Sequence, residues 1–179
     1  MNRISSKGQF TIAFLFVSVL FFFGCSSPEA AKLEATKPDP VEANIKMYSN
    51  VWDEIMNKGK LELFNDSNFT KDVVFHVSPS DIVGIDSSRG YYAQFITGFS
   101  EIQFTIKDVF GQGDKLVKYW NFKGKHTGSF FGIPATGKSV DLDGTTLVRM
   151  QDGKIAEERD FYDNVVFMTQ LGLMPEPGK

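Results

Sequence analysis

The segment GIPATGKS, residues 132–139, matches the pattern G-x-x-x-x-G-K-[ST] of loops that bind nucleotide phosphates. Such a loop requires a helix that begins at the lysine, because the amides at the helix N-terminus bind the phosphate. The next residues, SVDLDGTTLVRM, combine aspartate, glycine and adjacent threonines without a helical apolar period, which predicts a strand. We therefore predict no nucleotide site, and expect Gly132, Pro134 and Gly137 to shape a connection between two strands.

Two histidines could act as an acid or a base, because the unperturbed pKa of imidazole lies near neutrality. His126 follows Trp120 and Phe122 at two-residue steps, so we expect the three side chains on one strand face, towards the apolar interior. His126 could act chemically there, or it could be a structural histidine bonded to the following hairpin, TGSFFG. His76, at the end of the predicted strand DVVFHVS, is a weaker pocket candidate. Neither histidine has a closely spaced second ligand, so no metal site is predicted.

Aromatic side chains and an arginine are further candidates for a ligand pocket. Tyr48 and Trp52 lie on the apolar face of a predicted helix, where they are core residues or present one edge to a cavity. The same two interpretations apply to the tryptophan of the strand. Arg149 shares a predicted strand face with Asp141 and Asp143, which favours a structural ion pair over binding of an oxyanion.

The elements that must position these residues follow an α+β order. Apolar residues at three- and four-residue steps predict an amphipathic helix, β-branched and aromatic runs predict strands, and glycine-containing turns separate them. The predicted helices are Val41–Lys58, Leu61–Phe64, RGYYAQFITGF and NVVFMTQLGL, and the strands are DVVFHVS, IQFTIKDVF, KLVKYWNFKGKH, SVDLDGTTLVRM and IAEERDFYD.

The N-terminus carries the features of an export signal. Arg3 and Lys7 precede an apolar run over residues 10–23, which is shorter than the roughly 20 residues of a membrane span. The stretch LFFFGC, ending at Cys25, resembles a bacterial lipoprotein signal, which implies lipidation of that cysteine; ordinary secretion and an uncleaved anchor are the alternatives. We expect a signal peptide at residues 1–24, a flexible tether at 25–40 and one domain at 41–179.

Composition limits the classes of partner. The only cysteine is the one at the processing site, so the domain itself has no thiolate and no disulfide. The net charge is −3 and no run of basic residues occurs, which argues against nucleic acid as a partner. The lipidated cysteine would place the protein in the cell envelope, and Ser26 lacks the aspartate typical of inner-membrane retention, so the outer membrane or periplasmic face is preferred.

The C-terminal half carries a longer and more specific pattern. The run GKHTGSFFGIPATGKSVDLDGTTLVRMQDGKIAEERDFYD, followed by QLG, resembles the SnoaL-like polyketide cyclase (ester cyclase) family, within the group folded like nuclear transport factor two. The family pattern is G-T-H-T-G-x-F-x-G-I-P-x-T-G-K, then an arginine, D-G-K-I-x-E-x-W-x-x-x-D and Q-L-G. Lys125 replaces the threonine before the histidine, and Arg159 replaces the tryptophan, which would change a pocket in both shape and charge.

The resemblance implies a cone-shaped fold, in which a strongly curved antiparallel sheet wraps around N-terminal helices and leaves a deep apolar cavity. It also implies an intramolecular aldol closure without a cofactor, with Asp163 as the acid/base aspartate, and a homodimer through the open sheet face. If no bulge intervenes, Glu157 and Arg159 share the strand face of Asp163. A guanidinium beside this carboxylate would weaken it as a base.

Two functions therefore remain open from the sequence. The first is a cofactor-independent cyclase or isomerase that acts on a small hydrophobic carbonyl compound, with Asp163 and His126 as acid/base groups. The second is a non-catalytic ligand-binding or envelope-assembly lipoprotein. In both cases the predicted pocket residues are Tyr48, Trp52, His76, Trp120, Phe122, Arg149, Glu157 and Arg159.

Overall fold

The computed structural model describes residues 40–175 as three helices, one 3-10 turn and six strands. The predicted signal peptide, Cys25 and all but the last residue of the tether lie outside these residues. No helix between residues 40 and 175 is long and apolar enough to cross a membrane. In chain order the elements are α1 (Pro40–Lys58), the 3-10 turn (Leu61–Leu63), β1 (Phe69–Phe75), β2 (Ile82–Val83), α2 (Ile85–Gly98), β3 (Phe99–Gln112), β4 (Lys115–His126), β5 (Ser139–Gln151), β6 (Lys154–Tyr162) and α3 (Asn164–Gln170).

The six strands form one sheet in the order β2-β1-β6-β5-β4-β3. Strands β3 to β6 pair antiparallel with their neighbours in the chain, as consecutive hairpins do. Strand β1, however, runs parallel to β6, with Phe69 opposite Ile155 and Phe75 opposite Glu158. The sheet is therefore mixed rather than wholly antiparallel as expected, because the final long strand returns to the edge of a strand from the start of the domain.

An aromatic cluster joins α1 to the sheet. Trp52 is 1% exposed and meets the rings of Phe64, Phe69 and Phe75 edge-on, with centroids 6.1 to 6.5 Å apart. Edge-to-face contacts of this kind place the positive ring edge against the negative face. Full burial of a side chain of this size stabilises a fold by about 1.5–3 kcal/mol, so the apolar period of α1 is what fixes the helix on the sheet.

The long strands β4 and β5 alternate strictly between the two faces of the sheet. In β5, every second residue from Val140 to Met150 is buried, while the residues between them are exposed or half-buried. The inward face of β4 holds Leu116, Lys118, Trp120, Phe122 and His126. The predicted common face of Trp120, Phe122 and His126 is thus confirmed.

The segment between β4 and β5 contains the sequence that matched the phosphate-loop pattern. It leads directly into β5 at Ser139, so no helix begins at Lys138. Gly132 and Gly137 have φ values of +80° and +68°, a region that favours glycine. The prediction that these residues shape a strand connection is confirmed.

Candidate active site

A cavity of about 310 Å³ lies between the helices and the inward face of the sheet. Most of its wall is aromatic, and it includes Trp52, Tyr91, Tyr92, Phe95, Phe104 and Trp120. Two charged groups, Lys118 and Asp160, line the same space. A largely apolar cavity with few polar groups is the usual form of a small-molecule site.

Three polar residues form a row across neighbouring strands on this wall. Lys118 of β4 is opposite Thr146 of β5, and Thr146 is opposite Asp160 of β6. Directly opposed residues of antiparallel strands place their side chains side by side on one face. The sheet therefore presents an ammonium group, a hydroxyl group and a carboxylate in register.

Hydrogen bonds orient the Asp160 carboxylate. The indole Nε1 of Trp120 donates to Thr146 Oγ1 at 2.9 Å, and the Thr146 hydroxyl donates to Asp160 Oδ1. The direction of this chain is fixed, because an indole N–H can only donate. The Tyr92 hydroxyl approaches Asp160 Oδ2 at 3.4 Å. Burial, together with the carboxylates of Asp160 and Glu158, raises the pKa of Tyr92 well above its usual value, so this phenol stays a proton donor.

The position of Trp120 depends on the glycine opposite it. Gly144 pairs with Trp120 across β4 and β5. A Cβ atom at this position would lie 2.2 Å from Cζ2 of the indole, which is closer than atoms can approach. The absence of a side chain thus lets the indole cover the strand and reach Thr146.

Lys118 is buried under aromatic rings. The residue is 3% exposed. Its Nζ lies 4.5 Å from the ring centroid of Trp52, 5.2 Å from that of Tyr48 and 5.3 Å from that of Phe104. A cation over ring faces at these distances is attracted by the ring quadrupole. The cavity wall therefore carries a positive charge that the rings stabilise.

A second carboxyl group, Glu158, lies behind the cavity wall. It is 1% exposed and accepts a hydrogen bond from Trp52 Nε1 at 2.7 Å, while its Oε2 has no partner among residues 40–175. Burial raises the pKa of Glu158 to about 8, against the opposing effect of Lys118, and Asp160 adds to the increase. At neutral pH this group is therefore mostly uncharged.

Comparison with known proteins agrees with this architecture. The profile of the family described as SnoaL-like polyketide cyclase matches residues 45–171. The chain belongs to the SnoaL-like polyketide cyclase family. Its membership places the aromatic cavity in a family whose described activity is cyclisation.

Curated relatives of this SnoaL-like protein share a short segment with it. The chain is 41% identical over 58 residues to the aklanonic acid methyl ester cyclase DnrD of Streptomyces peucetius, a match that covers 32% of this chain and 37% of DnrD. The same identity over 58 residues links it to the aklanonic acid methyl ester cyclase DauD of Streptomyces sp. (strain C5), covering 32% of this chain and 34% of DauD. The match thus spans about a third of the length of these relatives.

Solved structures confirm the predicted fold. A SnoaL-like protein from Jannaschia sp. CCS1 superposes with a TM-score of 0.68 at 26% identity, over 78% of this chain and 99% of the other. TsrD from Streptomyces laurentii gives a TM-score of 0.66 at 22% identity, over 74% and 97% of the two chains. The α+β cone around helices, expected from the resemblance, is therefore confirmed, with the one parallel strand pair described above.

Four of the predicted pocket residues line the cavity of the SnoaL-like domain. These are Trp52, His76, Trp120 and Phe122. His76 also lies beside two carboxylates, with Nδ1 3.0 Å from Asp81 and Nε2 3.8 Å from Glu157. Tyr48 is fully buried beneath Lys118 and does not line the cavity.

The two predicted catalytic residues do not line the cavity. Asp163 is exposed and caps α3, where its carboxylate accepts a hydrogen bond from the backbone N–H of Val166 at 3.0 Å. This is the ordinary role of an aspartate before a helix. His126 is fully buried at the far end of β4, where its Nδ1 is 3.1 Å from Thr136 Oγ1 in the following connection. That geometry matches the structural interpretation of His126.

The remaining predicted pocket residues lie on the opposite face of the sheet. Arg149, Glu157 and Arg159 line a second hollow of about 400 Å³, so the arginine at the family tryptophan position does not alter the aromatic cavity. Arg149 forms structural ion pairs, as predicted, but Asp141 and Asp143 are the wrong partners. Arg149 instead lies 3.1 Å from Asp114 and 3.4 Å from Glu157, because the hairpin turn and the neighbouring strand bring those carboxylates closer.

Sequence reasoning missed the polar row. Two-residue steps backwards from Trp120 reach Lys118, and the same period in IAEERDFYD places Glu158 and Asp160 on the face opposite to Arg159. The period groups Glu158 with Asp160 but does not tell which face of β6 is inward, and the resemblance had assigned that face to Asp163. Strand β6 ends at Tyr162, so Asp163 does not continue its alternation.

Proposed function

We propose that this SnoaL-like protein is a cofactor-independent enzyme that moves a proton next to the carbonyl group of a small hydrophobic compound and thereby closes or isomerises a carbon skeleton. One observation carries the proposal: a hydrogen-bonded carboxylate and a buried ammonium group face the same aromatic cavity, in register across three strands. The relatives named as cyclases support the reaction class.

The chemistry divides between the two charged groups. Asp160 would accept a proton from the carbon next to the carbonyl group, since Thr146 and Tyr92 hold its oxygens in a fixed orientation. The positive charge of Lys118 and the hydroxyl of Tyr92 would stabilise the negative charge that develops on the substrate oxygen. The aromatic wall lowers the local polarity, which strengthens both interactions.

The test is deuterium exchange on a probe ketone. In D2O, NMR would follow loss of the hydrogen on the carbon next to the carbonyl group of 1-tetralone. We expect Asp160→Asn to lower the protein-catalysed rate by about a hundredfold or more, the usual range for loss of a general base. Asp163→Asn is the matched control, because asparagine also caps helices well, and it should leave the rate near that of the unaltered protein.

The opposite result would assign the acid/base role to Asp163, as the family resemblance implies. Loss of exchange in Asp163→Asn with full exchange in Asp160→Asn would contradict the assignment of Asp160. If the unaltered protein exchanges the hydrogen no faster than a variant that carries both Asp160→Asn and Asp163→Asn, this would argue against catalysis on this class of ketone.

A second candidate function is ligand binding without turnover. It is favoured by the position of Asp163, since the aspartate that matches the family's acid/base residue caps a helix and leaves the cavity. A native mass spectrum of the domain purified from its own host tests this candidate. A retained hydrophobic compound that returns chemically unchanged after prolonged incubation would support binding, whereas a converted compound would contradict it.

We also propose that the domain is held in the cell envelope through a lipid on Cys25, with the outer membrane or periplasmic face as its site. The support is the apolar run and the stretch LFFFGC in the sequence. Metabolic labelling with a fatty acid should mark the full chain, and Cys25→Ser should remove the label. Labelling that persists in the variant would contradict the proposal.

A further inference from the structure

The amine of Lys118 differs from the other charged groups of the domain in its surroundings. Within residues 40–175 its Nζ makes no hydrogen bond and no ion pair, although the residue is 3% exposed and lines the cavity. By contrast, the lysines at positions 107 and 123 pair with Asp143 and Asp141 at 2.6 and 2.9 Å. Three aromatic rings surround the Lys118 amine instead.

This environment suits an amine that attacks a carbonyl carbon as well as one whose positive charge attracts an oxyanion. Nucleophilic lysines lie in hydrophobic pockets, because removal of water favours the neutral amine that attacks a carbonyl carbon. An ammonium without a hydrogen-bond partner also loses more solvation on burial than a paired one. The cation–π contacts offset part of this loss and would equally stabilise a cationic adduct at the same atom.

We propose that Lys118 binds carbonyl compounds covalently, as an iminium ion, in the aromatic cavity. The neutral amine adds to the carbonyl carbon to form a carbinolamine, which expels its oxygen as water. The net change is one ammonium plus one ketone to one iminium plus one water, so charge and atoms balance. The proposal rests on the carbonyl substrate class proposed above. The iminium ion would carry the positive charge that Lys118 otherwise carries as an ammonium group.

The rest of the polar row supplies the following step. Asp160 is two strands away from Lys118 along the register through Thr146, a backbone separation of about 10 Å. Both side chains line the cavity, so the carbon next to the captured carbonyl would lie between them. Asp160 can then remove a proton from that carbon, and the electron pair moves to the iminium nitrogen to give a neutral enamine.

The test uses 1-phenylbutane-1,3-dione, a diketone that converts a reactive lysine into a stable enaminone with loss of one water. We expect about one adduct per chain, and peptide mass mapping should place it on Lys118. Lys118→Arg keeps the positive charge without the nucleophile and should lower labelling by at least about tenfold. Lys115→Arg, an exposed position on the same strand, should label as the unaltered protein does.

Mapping on the unaltered protein keeps the test informative if Lys118→Arg folds poorly, which thermal unfolding would show. No adduct, or adducts spread over exposed lysines, would overturn the inference. The 1-tetralone assay separates it from the proposed function: exchange that is retained in Lys118→Arg and lost in Asp160→Asn would overturn the iminium ion and leave acid–base catalysis standing. An adduct on Lys118 without any exchange would uphold the inference and contradict the proposed turnover.

Discussion

The hydroxyl of Thr146 connects two groups that would otherwise be independent. It accepts from Trp120 Nε1 and donates to Asp160. Thr146→Val keeps the shape but leaves the indole N–H without an acceptor, which should lower the free energy of unfolding by about 1–3 kcal/mol. The 1-tetralone exchange rate should also fall, because Asp160 loses a donor that orients it. Chemical denaturation and the exchange assay would measure the two effects.

Thr145 provides the matched control for this substitution. It is the adjacent residue of β5, faces the other side of the sheet and pairs with Phe161. Thr145→Val should change the free energy of unfolding by no more than about 0.5 kcal/mol. It should leave the exchange rate as in the unaltered protein. Equal effects of the two substitutions would show that the hydroxyl chain has no special role.

The buried carboxyl of Glu158 predicts how stability depends on pH. Its pKa rises from 4.5 to about 8 on folding, so between these values the folded state binds more protons than the unfolded state. Stability therefore falls as the pH rises through this interval, by up to about 1.4 kcal/mol per pH unit. Glu158→Gln, which cannot ionise, should flatten this part of the curve. Denaturation at a series of pH values measures it.

Glu157→Gln is the control for this prediction. The side chain of Glu157 is 45% exposed and faces the opposite side of the sheet, beside Arg149. Its removal should leave the slope between pH 4.5 and 8 as in the unaltered protein. Parallel curves for the unaltered protein and Glu158→Gln would mean that another group causes any dependence observed.

At the scale of elements, the sequence predicted nearly every helix and strand, because long apolar periods determine them. The inward face of β6 was not predictable in the same way. Its residues Glu157, Glu158, Arg159 and Asp160 are all charged, so hydrophobic alternation gives no direction there. Only the register with β5 decides it.

His126 was placed on the correct face, but Phe99 and Phe130 fill the space around its ring, so the cavity does not reach it.

The pairing of Gly144 in β5 with Trp120 in β4 allows a further prediction. Gly144→Ala would place a methyl group against the indole of Trp120, which must then move and lose its bond to Thr146. We expect the free energy of unfolding to fall by about 1–3 kcal/mol. Tryptophan fluorescence and affinity for the diketone probe should change as well, because the displaced ring enters the cavity.

Gly90→Ala is the control on a helix. No atom lies within 4 Å of a Cβ built at this position in α2. Since alanine favours a helix over glycine, the substitution should stabilise the protein by about 0.5–1 kcal/mol and leave the fluorescence unchanged. Similar losses in both variants would show that steric contact with Trp120 is not the cause.

At the scale of the whole molecule, the outer face of the sheet carries an apolar row. Phe110, Val117 and Leu147 are opposed across β3, β4 and β5, and the first and last are about half exposed. We propose that a second copy of the chain covers this face, as the family resemblance implies. Leu147→Glu should shift sedimentation towards the monomer, whereas Val83→Glu, at an exposed site on β2, should not. A monomeric unaltered protein would contradict the proposal.

The parallel pairing of β1 with β6 has a consequence for how the domain is made. Phe69 finds its strand partner only when Ile155 has been synthesised, and the Trp52–Glu158 hydrogen bond joins residues 106 positions apart. Contacts of such long sequence separation raise the contact order and slow folding. Until β6 emerges from the ribosome, one edge of β1 has no strand partner and the indole N–H of Trp52 lacks its acceptor, Glu158. We therefore expect nascent chains that stop before β6 to be substrates for chaperones and proteases.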